Sequence, residues 1–143
     1  MKFTTTFSFA LAIGTTLGDP RCSPRTGTYL NFKTADLIAL RDVYAAKDPS
    51  DKFRLNSGAL ASNFRDSLGT AYITVSNKEW LLHRDTHVIK KDLGYTLSEM
   101  HKHCCEGSEE CQGGVVDVLG DNGRWAQLEL RGAFKQPKIS ESK

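Results

Sequence analysis

The 143-residue chain lacks the sequence signatures of the common enzyme classes. It has no Gly-x-Ser-x-Gly elbow of hydrolases and no His-Glu-x-x-His of metalloproteases. It also has neither of the glycine-rich loops that bind nucleotide phosphates. A large excess of charge is missing too, because 19 lysines and arginines are balanced by 17 aspartates and glutamates. We therefore do not expect binding to nucleic acid through bulk electrostatics.

Hydrophobic runs of membrane-spanning length are also missing, which argues against a transmembrane segment. A short apolar run at residues 7–13 follows Lys2, and small residues precede Asp19. This three-part pattern is typical of a secretory signal peptide, so we predict a secreted, extracellular protein. The predicted division is a leader at 1–18, a single domain at 19–135 and a flexible polar tail at 136–143.

Cysteine is scarce, with four residues, but an exported chain favours pairing them as disulfides. Cys104 and Cys105 are adjacent, and a bond between neighbours would strain the intervening peptide, so each is expected to pair with Cys22 or Cys111. Two pairings then remain. Helical spacing favours Cys22–Cys104 with Cys105–Cys111, because Cys104 continues an apolar stripe made by Ile89, Leu93, Leu97 and Met100.

Hydrophobic residues make up 39% of the chain and charged residues 25%, which are ordinary values for a globular domain. Apolar periodicity and turn residues predict a mixture of helices and strands without regular alternation. This indicates an α+β fold, in which an antiparallel sheet has helices packed on one face and is stapled by disulfides. The predicted strands are 28–32, 52–55, 71–76, 114–119 and 124–131, and the predicted helices are 35–46 after a Thr34 cap, 60–68, and 86–103 after an Asp85 cap.

Three residues of the predicted hairpin are candidates for a functional role. Asp117 falls between Val115 and Leu119, on a face expected to meet the apolar side of the next strand, so it is a candidate for a half-buried carboxylate. The alternative is a bulge, or an arginine or lysine that reaches over the sheet. Trp125 and Arg131 fall on the opposite face, where an indole among polar groups is a candidate partner contact.

Histidines supply the other candidates. His101 and His103 lie beside the paired cysteines, and His83 and His87 are four residues apart. Their types suit a metal site, but the spacing matches no common zinc pattern, so we predict neither a metal nor another cofactor. Solvated basic residues at a helix C-terminus are the simpler interpretation.

The order of elements from Thr70 to Arg131 resembles that of small secreted fungal proteins. It includes the predicted Asp85-capped helix, Cys104, the Cys111-Gln112-Gly113-Gly114 segment and the Gly120-Asp121-Asn122-Gly123-Arg124-Trp125 hairpin. It is loosely similar to killer-toxin-like and necrosis-inducing-factor-like effectors, which are α/β sandwiches. The chain has few cysteines for those groups, so neither their disulfide framework nor their functional residues are carried over.

The resemblance implies a fungal effector or toxin-like virulence protein that binds a protein, glycan or surface component of a host or competitor. The alternative is a small secreted hydrolase with a site near Asp117 or at His101 and His103. A catalytic cleft gathers titratable groups around one substrate position, whereas a binding module exposes an apolar or aromatic patch rimmed by polar groups.

Overall fold

The computed structural model describes residues 17–22, 30–60 and 62–133. Most of the predicted leader, the predicted tail and the first half of the predicted strand at 28–32 lie outside these ranges. The described elements are β1 (Arg21–Cys22), β2 (Phe32–Lys33), α1 (Thr34–Ala45), β3 (Lys52–Leu55), β4 (Phe64–Leu68), β5 (Ala71–Asn77), β6 (Thr86–Ile89), α2 (Lys90–Met100), β7 (Glu110–Cys111), β8 (Gly114–Leu119) and β9 (Trp125–Gly132).

An antiparallel five-stranded sheet, in the order β1-β8-β9-β5-β4, forms the centre of the fold. Two short antiparallel ribbons, β2-β7 and β3-β6, accompany it. Both helices pack against this assembly, which confirms the predicted α+β class. In the part of the chain that the structure describes, neither helix has the length and apolar character needed to cross a bilayer.

Alternation along the central strands builds the core. Inward residues of β5, β8 and β9 are fully buried while their neighbours are half-buried, as the two-residue strand period requires. The helices contribute a second apolar layer, which includes Leu37, Leu40, Tyr44, Leu93, Leu97 and Met100. Gly94 lies where α2 meets α1, and a Cβ there would come within 2.6 Å of the backbone nitrogen of Ala45. The glycine in the middle of α2 therefore permits close approach of the two helices.

Two disulfide bonds fasten the C-terminal end of α2 to the rest of the domain. A single turn of π-helix at His101–Cys105 follows α2 and carries two cysteines. Cys104 bonds Cys22 on β1, and Cys105 bonds Cys111 on β7. In both bonds the Cα atoms are 5.3 Å apart, within the usual range. The pairing favoured by helical spacing is therefore confirmed.

The helix predicted at 60–68 is wrong, because Phe64–Leu68 forms β4 and pairs with β5. Apolar residues four apart share one side of a helix, but they also share one side of a strand. Pairing with β5 decides between the two, and Gly69, with a φ of +58°, makes the tight turn that joins β4 to β5.

The predicted start of the second helix is also wrong. Thr86–Ile89 forms β6 against β3, and α2 begins only at Lys90. Asp85 caps no helix, because its carboxylate accepts hydrogen bonds from Arg54 and Ser57. The β-branched residues of this segment favour a strand, which explains why it does not form the first turn of the helix.

The turn between β4 and β5 docks onto the first turn of α1. Thr70 donates two hydrogen bonds to Asp36, one from its hydroxyl at 2.5 Å and one from its backbone nitrogen at 2.8 Å. These two bonds, the hydroxyl's first, lower the pKa of Asp36 below its ordinary value. At the start of the same helix the predicted Thr34 cap is wrong, because Lys33 occupies the cap position and no side chain caps the helix.

Candidate functional site

Asp117 lies on the outer face of the sheet, so its predicted contact with the apolar side of β9 is wrong. It pairs with Gln127, whereas Val116 and Val118 face the core. The register follows from the connection between the strands, in which only Gly123 adopts a positive φ, +74°, at the Asn-Gly step. Both faces of β8 carry apolar residues, so the sequence pattern left the inward face ambiguous.

Asp117 forms an ion pair with a lysine and has a glutamine and an arginine as further polar neighbours. Lys78 Nζ lies 2.7 Å from one carboxylate oxygen, and Gln127 donates at 3.4 Å to the other. An Arg21 nitrogen is 3.9 Å away. The partner is a lysine reaching over the sheet, not a histidine in a pocket. The arrangement joins β8 to the end of β5 and to β1, and contains no acid and base poised around one substrate position.

Trp125 and Arg131 lie on the outer face, half-buried, as the alternation predicted. The Arg131 guanidinium carbon sits 5.1 Å from the centre of the Tyr72 ring, and a nitrogen lies 3.7 Å from Glu129. Six strand positions separate Trp125 from Arg131, a distance of about 20 Å. The two residues are therefore not parts of one compact contact site, and their role in binding stays a prediction.

His101 and His103 lie on the π-helical turn. His103 Nε2 is 3.7 Å from a Glu99 carboxylate oxygen. His103 also borders a cleft of about 530 Å³ beside the two disulfides. Ser108 and Glu110 line the same cleft. Within the described residues no hydrogen bond joins Ser108 to His103. The cleft thus gathers residue types used by hydrolases without the nucleophile-to-base contact that activates a serine.

The other two histidines are separated by structure. His83 ends a 3₁₀ turn and has a left-handed φ of 53°, whereas His87 is on β6, with Nδ1 3.7 Å from Asp121. Helical spacing therefore does not apply to them. Across residues 17–22, 30–60 and 62–133, no three histidine, cysteine, aspartate or glutamate side chains come together as ligands for a metal.

A feature that the sequence reasoning missed stands out between β5 and β6. Trp80, Leu81 and Leu82 form a 3₁₀ turn and expose 46%, 69% and 61% of their surface. We call these three residues the apolar tip. Three consecutive large apolar residues outside any alternating pattern, followed by His83 and Arg84, were the available signal. Single exposed apolar residues are ordinary, but a contiguous exposed group is a candidate interaction site.

The loop that carries the apolar tip is held firmly at its base by a buried amide. Asn77 is 6% exposed and ends β5. Its nitrogen donates to the carbonyls of Arg84 at 2.7 Å and Leu55 at 3.3 Å. Its oxygen accepts from the Glu79 backbone nitrogen at 2.8 Å and the Thr86 hydroxyl at 3.1 Å. One side chain thus satisfies polar groups on both arms of the loop.

Further bonds fix the two arms of this loop to the hairpin. The Lys78 backbone nitrogen donates to the carbonyl of Trp125 at 3.2 Å. On the other arm, the side chain of Asn122 donates to the Asp85 carbonyl at 2.9 Å. Hydrogen bonds from Arg54 and Ser57, in that order of effect, lower the pKa of Asp85. The apolar tip is therefore presented on a preorganised support.

Comparison with protein-family models and with curated proteins finds no match to this chain.

Proposed function

We propose that the protein is a secreted, disulfide-stabilised binding protein of the fungal effector or toxin type, which engages a host or competitor component through its apolar tip. The observation that carries this proposal is the exposure of Trp80, Leu81 and Leu82 on a base fixed by Asn77. Solvent-exposed apolar groups held rigidly lose little conformational entropy when they bind, so this arrangement favours a contact surface.

The disulfides support the extracellular part of the proposal. The described cysteines are all paired, and bonds of this kind persist in oxidising compartments. A predicted leader at residues 1–18 agrees with that location. Export is tested by expressing the full chain in a secreting fungal host. We expect protein in the medium that begins near Asp19 and has no thiol reactive toward Ellman's reagent. Four free thiols would contradict the proposal.

Binding is tested on whole cells with a matched pair of variants. The oxidised protein is applied to plant tissue and to competing microbes, and cell association and viability are measured. We expect the wild-type protein to associate with the cells and to reduce their viability, and we expect Leu81→Ser with Leu82→Ser to abolish both. The control, Val43→Ser with Tyr95→Ser, removes two other exposed apolar side chains, 43% and 47% exposed, from the two helices and should leave cell association and viability as in wild type. Equal activity of both double variants would contradict a role for the apolar tip.

A small hydrolase is the second candidate, because His103, Ser108 and Glu110 line one cleft. The variants His103→Ala and Ser108→Ala separate it from the binding proposal. If the cellular effect requires His103 and Ser108 but not Leu81 and Leu82, the hydrolase replaces the binding protein. We expect the opposite result, since the described residues hold no contact between Ser108 and His103.

A further inference from the structure

We propose that the apolar tip is an anchor for the interface of a lipid bilayer, and that its partner is an anionic lipid surface. This inference rests on the proposed binding function and names the class of component bound. The side chains suit that environment. Trp80 combines an apolar ring with a polar N–H, a combination enriched at the boundary between headgroups and acyl chains. Leu81 and Leu82 follow it as the most exposed large apolar side chains of the described residues.

Basic residues flank the apolar tip. Lys78, which is ion-paired with Asp117, precedes it, and Arg84 follows it with an exposed side chain. The Arg54 side chain, 63% exposed, is bonded to Asp85 at the base of the same loop. The acidic residue nearest in sequence, Glu79, has one carboxylate oxygen buried. Lys78 and Arg54 share their charges with Asp117 and Asp85, so Arg84 is the exposed cation beside the apolar tip that forms no ion pair among the described residues. An exposed arginine next to an inserted apolar group is complementary to an anionic lipid headgroup.

The dimensions of the apolar tip favour lipid over a protein partner. Three partly exposed side chains offer on the order of 300 Å² of apolar surface, well below the roughly 800 Å² that each partner contributes to a standard protein interface. A small convex apolar point with a polar surround suits shallow insertion, which needs no complementary pocket.

Support from the base makes insertion of the whole tip feasible. Leu82 and His83 donate backbone hydrogen bonds to Glu79 and Trp80, at 3.0 and 3.2 Å, so the turn satisfies part of its own backbone. A backbone group that enters the interface unsatisfied would oppose insertion, and the 3₁₀ turn reduces that penalty. The buried Asn77 amide holds the arms of the loop while the apolar side chains project.

Vesicle binding tests the inference directly. The oxidised protein is mixed with phosphatidylcholine vesicles that contain either no anionic lipid or about one third phosphatidylserine, and bound protein is measured by co-sedimentation. We expect binding to the anionic vesicles that falls steeply as salt is raised. All proteins are purified in the same form, so that any contribution of residues 1–18 is common to them.

Variants locate the binding surface. We expect Leu81→Ser with Leu82→Ser to weaken partition into anionic vesicles by about tenfold or more. Val43→Ser with Tyr95→Ser should leave partition unchanged. Arg84→Glu should reduce the preference for anionic over neutral vesicles. In a Trp125→Phe background, the fluorescence of Trp80 should shift to shorter wavelength on binding.

The outcomes separate this inference from the proposed function. If the serine double variant loses its cellular effect but wild type binds no anionic vesicle, the binding function stands, the lipid inference is overturned, and a protein or glycan is the partner. If wild type binds anionic vesicles through the apolar tip but affects no cell, the lipid inference stands and the effector function fails. Equal vesicle binding by wild type and by the serine double variant overturns the lipid inference.

Discussion

Replacing Asn77 by leucine tests how the loop that carries the apolar tip is held. Leucine keeps a similar volume but removes the amide, which leaves four hydrogen-bonding groups without this partner. The Thr86 hydroxyl is fully buried and loses its partner, whereas the buried Leu55 carbonyl keeps its strand bond to Thr86 in the β3–β6 ladder. The other two, on Glu79 and Arg84, lie in the exposed loop, where water replaces the lost bond.

Each buried polar group left unsatisfied costs about 1–3 kcal/mol. The one buried group left without a partner therefore predicts that Asn77→Leu lowers the free energy of unfolding by about 2 kcal/mol. The measurement is equilibrium unfolding in guanidinium chloride with the disulfides intact, monitored by far-UV circular dichroism. An unchanged slope against denaturant shows that the variant alters stability and not the size of the folded unit.

A second substitution makes the reasoning refutable. Thr86→Val alone should cost about 1 kcal/mol, because the Asn77 oxygen keeps its bond from Glu79. In the Asn77→Leu background the same change removes the unsatisfied hydroxyl. We therefore expect the double variant to be about 2 kcal/mol less destabilised than the sum of the single variants. Additivity of the two costs within about 0.5 kcal/mol would refute the account of the buried amide.

Three further predictions concern the rest of the domain. Replacing Cys22 and Cys104 by alanine should lower the free energy of unfolding by up to about 4.5 kcal/mol, since the bond spans 82 positions; a loss under about 1 kcal/mol in guanidinium titrations would contradict the chain-entropy argument. Gly94→Ala should reduce stability by about 1–2 kcal/mol despite its better helix propensity, because the methyl group meets the Ala45 backbone; a rise in melting temperature would contradict this packing. The pKa of Asp36 is lower in the folded protein than its value near 4 in the unfolded chain. The ionised carboxylate therefore stabilises the fold above about pH 4, and this contribution is lost as the pH falls through the lower pKa of the folded protein. Unfolding of wild type and Asp36→Asn between pH 7 and 2 should therefore converge on acidification, and a constant difference would contradict the assignment.

Local patterns predicted several elements well. α1 was predicted because its apolar stripe repeats at helical spacing over three turns. It begins and ends one residue earlier than expected. The strands β5 and β9 follow from alternation of apolar and polar residues, whereas β8 was identified as a strand without its inward face being fixed. The disulfide pairing was also predicted, but the stripe that favoured it is wrong, because Cys105 is the fully buried cysteine and Cys104 is half-buried on the π-helical turn.

The errors share one cause, which is that a short segment can satisfy two periodicities. The spacing of Phe64 and Leu68 fits a helix and a strand equally, and β4 exists because β5 offers it a pairing edge. Thr86–Ile89 likewise becomes a strand because β3 lies beside it. Both choices depend on a partner that is distant in sequence, and local propensity carries no information about that partner.

The candidate site was less predictable than the fold. Asp117 was identified as a residue of interest, but its face and its partner Lys78 depend on hairpin register and on a side chain 39 positions away. The apolar tip is visible in the sequence as three consecutive letters. Its exposure could not be read from the sequence, because apolar residues are usually buried. The three side chains are exposed because the loop fixed by Asn77 holds them in solvent.

The sequence by itself determined the fold class, three strands of the central sheet and the first helix, because each depends on spacing within one segment. It also limited the four cysteines to two pairings, because adjacent cysteines do not bond to each other. The tertiary structure decided strand register, the identity of two segments, the partner of Asp117 and the exposure of the apolar tip. These depend on contacts between residues far apart in the chain, and such contacts form only when the whole core closes.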